Sequence, residues 1–92
     1  MSSPAPDDIV RRGDVLWRRT LDGVLIRRRG DPEVVLLAGT GVALWETLDS
    51  PRPVADLAAR LATAHDADRR EVERDLGGIV DELVASGVLA LG

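Results

Sequence analysis

Residues 33–49 read EVVLLAGTGVALWETLD, and the texture changes in the middle of this stretch. Val34, Val35, Leu36 and Leu37 form an unbroken apolar run, which predicts a short strand over 33–37. The run does not alternate, so both of its faces, or one face and an edge, are expected to meet apolar partners. Gly39, Thr40 and Gly41 then break the extended chain. Val42, Leu44, Trp45 and Leu48 follow at helical spacing, with Thr40 as the expected cap of a helix running to about Asp49. Trp45 reads as an apolar anchor between sheet and helices, with an indole N–H that needs a partner.

Upstream, residues 15–19 and 24–28 read as two further strands around the turn Thr20-Leu21-Asp22-Gly23, since Asp-Gly is a hairpin signal. Arg29-Gly30-Asp31-Pro32 makes a second turn. Residues 1–12 carry Pro4 and Pro6 and no periodicity, so they are expected to be a loose N-terminal arm to a domain over 13–92. Downstream, Pro51 and Pro53 end the first helix, and Val54, Leu57, Ala58 and Leu61 mark a second over about 53–65. Asp68 and Glu71 form a capping-box-like start to a third helix. Its apolar side is Val72, Leu76, Ile79 and Leu83, and Gly87 stops it. Val88, Leu89 and Leu91 are expected to fold back as an apolar tail. Gly77-Gly78 interrupts the third helix, either for the close approach of another backbone or to keep space for a docking chain. The class is α+β, with a three-stranded antiparallel sheet followed by a three-helix bundle.

A chain of 92 residues supports one core and leaves little material for a deep substrate cavity. Trp17 and Trp45 are the only aromatic residues, so that core must be aliphatic. The absence of cysteine excludes a disulfide framework and Cys-ligated zinc, and His65 alone cannot build a His-based metal site. The acids Asp66, Asp68, Glu71, Glu73 and Asp75 suit the positive end of the third helix. Ser2, Ser3, Ser50 and Ser86 lack a nucleophile motif, and Gly39-Thr40-Gly41 lacks the lysine of a phosphate loop. The expectation is therefore no enzyme and no cofactor. The apolar runs are far too short to span a membrane and no signal peptide opens the chain, so the cytoplasm is the expected compartment.

Charge is divided along the chain. Residues 1–30 hold seven arginines against four acids, and residues 31–92 hold five against twelve. Arg27-Arg28-Arg29 could meet phosphate, and three helices beside a small sheet suggest a winged helix-turn-helix that binds DNA. Its recognition helix would, however, carry Asp68, Glu71, Glu73, Asp75, Asp81 and Glu82 against Arg69, Arg70 and Arg74. That balance opposes the phosphate term that dominates DNA affinity. A structural subunit, or a homodimer joined through open strand edges, is the other alternative.

Residues 37–49, with a strand ending in small residues and a short helix carrying Trp45 before Leu48-Asp49, resemble the signature of the PqqD-like family. Residues 54–61 resemble its second helix, and residues 71–76 with Leu83 and Gly87-Val88-Leu89 resemble its third helix and closing tail. The likeness extends over about 13–91. Pro53, Gly77-Gly78 and Ile79 depart from the usual pattern. The resemblance implies a winged helix-turn-helix-like recognition element for ribosomally synthesised, post-translationally modified peptides. It implies that the leader of a precursor peptide adds as a strand to the edge formed by Glu33, Val34, Val35, Leu36 and Leu37. Arg69, Val72, Glu73, Leu76 and Val80 are then the candidates for the facing wall of the third helix; Val72 and Leu76 read more readily as core than as contacts, whereas Arg69, Glu73 and Val80 lie to one side of the core stripe. The implied partners are that precursor peptide and a maturation enzyme, such as a radical S-adenosylmethionine enzyme or a leader peptidase.

Overall fold

The strand–turn–helix joint forms where the sequence places it. The computed structural model describes residues 4–92. In chain order the elements are β1 (Ile9–Arg12), β2 (Val15–Thr20), β3 (Gly23–Arg28), β4 (Val34–Leu37), α1 (Thr40–Thr47), β5 (Arg52–Pro53), α2 (Val54–His65), α3 (Arg69–Ala85) and β6 (Leu89–Leu91). Strands β2, β3 and β4 form the expected antiparallel meander. The first hairpin turns through Leu21 and Asp22, with Thr20 paired to Gly23. A Cβ on Gly23 would overlap the carbonyl oxygen of Leu37, so β4 closes onto a position that has to be glycine. The register places Val35 and Leu37 on the same face as Val24 and Ile26, which are buried. Val34 and Leu36 fall on the outer face beside Arg27 and Leu25, and they are 56% and 49% exposed. The unbroken apolar run thus serves one core face and one open face.

All three helices are present. Gly39, at φ 58, occupies the N-cap position of α1 with no side-chain cap bond, and Thr40 is the first helical residue rather than the cap. The cause is the sharp turn out of β4, which needs a left-handed φ that threonine disfavours. The side chain of Asp68 caps α3 by accepting the Arg70 N–H at 2.8 Å. Gly87 ends α3 with Gly87 N–H donating to Val84 O and Val88 N–H to Leu83 O, the paired bonds of a Schellman motif. Asp66 ends α2 in the left-handed region, with Ala67 N–H donating to Ala62 O. Trp45, Leu44, Leu48, Leu57, Leu61, Leu76, Val80 and Leu89 fill the space between sheet and helices. The indole N–H of Trp45 has no hydrogen-bond partner among the described residues. Gly77 is buried, whereas Gly78 is exposed, and a methyl group on its Cα would meet nothing within 4 Å beyond its own turn of helix among the described residues.

The N-terminal segment departs from expectation. Residues 1–3 lie outside the described residues, but Ile9–Arg12 is no loose arm: β1 is the central strand of a second antiparallel sheet, ordered β5-β1-β6. Val10 is fully buried, and Val54 N–H and Ala55 N–H donate to Asp8 O and Pro6 O. Arg12 ties this sheet to α1. Its Nε and Nη2 donate to the Trp45 carbonyl at 3.2 and 2.7 Å, and its guanidinium lies 4.7 Å from the ring centroids of both Trp17 and Trp45. The two indoles meet edge-on at 5.6 Å. Burial lowers the Arg12 pKa, against the opposing charges of Asp49 and Glu46. The folded unit therefore begins well before residue 13.

Candidate binding groove

Strand β4 pairs with β3 on one side and has no strand on the other among the described residues. The Leu37 carbonyl abuts Gly23, so it is directed at β3, and the Val24–Leu37 pair is of the hydrogen-bonded kind. Backbone groups alternate sides along a strand, so Val35 also turns its N–H and C=O toward β3. Val34 and Leu36 then aim theirs at the open edge. Glu33 stands just outside the strand, and its N–H donates to Asp31 Oδ1 at 2.9 Å. That bond, followed by the charge of Arg28, lowers the Asp31 pKa.

Two cavities flank this edge, one beside Glu33 and Val35 and one past its end at Thr40 and Gly41, both bordered by α3 or its continuation. The larger encloses about 240 Å³ and opens to the surface where Thr40 and Gly41 leave β4. Leu61 and His65 of α2 line one side of it, and Val72, Asp75, Leu76 and Ile79 of α3 form its wall. The smaller, of about 90 Å³, lies between Glu33 and Val35 on one side and Ser86 and Val88 on the other. Val72, Asp75, Ile79 and Ser86 thus mark one flank of α3 at helical spacing. Ile79 is 39% exposed in this position.

The helix residues expected on sequence grounds divide. Val72 and Leu76 line the larger cavity. Val80 is fully buried in the core and Glu73 is half-buried, and neither lines either of these two cavities. Arg69 is exposed in the first turn and also lines neither. Asp75, Ile79, Thr40, Gly41 and His65 belong to the groove, and sequence reasoning did not assign them to it. The one available signal was Ile79, an apolar residue at the margin of the helix stripe.

The arrangement offers unpaired backbone groups, an apolar hole and carboxylates. Among the described residues no three His, Cys, Asp or Glu side chains gather as a metal site. Among them, too, no helix is long and apolar enough to cross a membrane. The larger cavity falls below the roughly 300 Å³ at which drug-sized ligands are held, and it suits one inserted side chain.

The model of the family described as coenzyme PQQ synthesis protein D (PqqD) matches residues 23–89. The chain belongs to the PqqD family. This PqqD-family chain is also similar in fold to the solution NMR structure of the PqqD truncation of Methylobacterium extorquens PqqCD. That protein is described as a functional and stand-alone recognition element for ribosomally synthesised and post-translationally modified peptides. The TM-score is 0.76 at 21% identity, over 96% of this chain and 95% of that one. No curated protein matches the PqqD-family chain described here.

Proposed function

We propose that this PqqD-family chain binds the leader segment of a ribosomally made precursor peptide and presents it to a modifying enzyme in peptide natural product biosynthesis. Binding occurs by strand addition to β4, and the partner is a radical S-adenosylmethionine enzyme or a leader peptidase. The chain itself is a non-catalytic cytoplasmic subunit. The observation that carries this reading is the open edge of β4, where Val34 and Leu36 turn donors and acceptors to a side with no strand among the described residues, beside two cavities. Strand addition draws affinity from such main-chain groups and selectivity from pockets for alternate side chains. The likeness to a protein described as a peptide recognition element supports the same reading.

The test is titration of a fluorescently labelled precursor peptide, encoded beside this gene, into the whole chain and into Leu36→Pro. Micromolar or tighter binding that weakens in the variant supports the proposal. Binding that ignores the substitution, or no binding, refutes it.

A further inference from the structure

We infer that the strand accepted by this edge carries one large aliphatic or aromatic side chain with a lysine or arginine beside it. The inference rests on strand addition to β4 and names the chemistry of what is added. Size supplies the first half. Side chains along one face of an added strand meet unequal spaces here, about 90 Å³ beside Val35 and about 240 Å³ beyond Leu37. The larger space is walled by Leu44, Leu61, Val72, Leu76 and Ile79, so it rewards apolar bulk, and an inserted side chain would cover the exposed part of Ile79.

Charge supplies the second half. Asp75 lines the same cavity and makes no ion pair or side-chain hydrogen bond among the described residues. Asp14, Asp31, Asp49, Asp56 and Glu46 are all paired with arginine. Glu71 and Glu82 lie four and seven residues from Asp75, on the same side of α3, and are also without ion pairs among the described residues. Arg69, Arg70 and Arg74 stand about 100° or more around the helix axis from Asp75. At the small cavity Arg28 is committed to Asp31, and the Glu33 carboxylate has no partner among the described residues. A peptide bearing a cation next to its bulky residue meets complementary charge, and one bearing an acid there is repelled.

The experiment is selection of random twelve-residue peptides displayed against the whole chain, followed by titration of the resynthesised winners. The expected winners share a large apolar residue within two positions of Lys or Arg. Asp75→Asn should weaken them about threefold to tenfold, and replacing the cation by glutamine should remove that sensitivity, since the two changes act on one pair. Ile79→Asp should weaken binding by more than about tenfold, with circular dichroism confirming the fold. Winners that are acidic or share no bulky residue, yet weaken with Leu36→Pro, overturn this inference and leave strand addition standing. Failure to find any peptide sensitive to Leu36→Pro overturns both.

Discussion

Proline placed in turn at Val35 and Leu36 distinguishes the two sides of β4. Val35 turns its N–H to β3, so Val35→Pro removes a ladder bond and leaves an acceptor on Ile26 unpaired beneath a buried side chain. A lost bond with a stranded buried partner costs roughly 1–3 kcal/mol. For a domain of this length each kcal/mol moves the melting temperature by about 4–8 °C, so Val35→Pro should melt roughly 4–24 °C lower. Leu36 turns its N–H to the open side, where an edge strand tolerates proline, and its side chain is half exposed. Leu36→Pro should therefore shift the melting temperature by only a few degrees. Peptide affinity should respond in a different way. Val34 and Leu36 together offer two donors and two acceptors, each bond worth about 1 kcal/mol, or roughly fivefold in Kd. Leu36→Pro should thus cost at least about fivefold in affinity while remaining folded. Thermal melts by circular dichroism and peptide titrations check both halves. If Leu36→Pro melts well below Val35→Pro, the assignment of which backbone groups face the open edge is wrong.

Three further outcomes follow from other parts of the molecule. Arg12→Lys should destabilise by roughly 1–3 kcal/mol in urea unfolding, because lysine cannot reproduce the paired Nε and Nη2 donation to the Trp45 carbonyl while keeping a guanidinium against both indoles. Gly78→Ala should stabilise by roughly 0.5–1 kcal/mol, since a methyl group there meets open space and glycine is costly within a helix. A melting temperature that does not rise would show that Gly78 is held by something other than helix geometry. Asp31 and Asp56 have lowered pKa values, Asp31 chiefly through the Glu33 N–H and Asp56 chiefly through Arg60. The unfolded chain therefore binds more protons in acid, and the stability these groups lend above the ordinary Asp pKa near 3.9 is lost as pH falls through their lower folded values. Urea midpoints measured across that window should fall with pH, and less steeply in Asp31→Asn and Asp56→Asn.

The parts of the fold legible in the sequence are those with a turn signal, an unbroken apolar run or a helical period to read. The hairpin around Asp22-Gly23, the run from Val34 to Leu37 and the three helical stripes each carry one, and all form. The second sheet shows none. Its strands are four, two and three residues long, too short for alternation to register, and β5 includes the proline that reads as a breaker. Arg12 was illegible for a different reason: a charged residue in a polar segment gives no sign that two indoles and a carbonyl await it from elsewhere in the chain. The site was legible along the strand and ambiguous along the helix. Both flanks of the apolar stripe of α3 are compatible with facing β4. Only the packing of α2 and β6 against α3 decides that the flank of Asp75 and Ile79 borders the groove, and that Val80 is turned into the core.

The central claim is that a peptide adds as a strand to β4, and amide hydrogen exchange at that strand tests it most directly. In the free chain the amides of Val35 and Leu37 should be protected by β3, and those of Val34 and Leu36 should exchange quickly. Addition of the precursor peptide should slow Val34 and Leu36 to rates like those of their neighbours, with little change at Val35 and Leu37. Saturating peptide that leaves Val34 and Leu36 exchanging as fast as before would contradict strand addition, whatever its affinity.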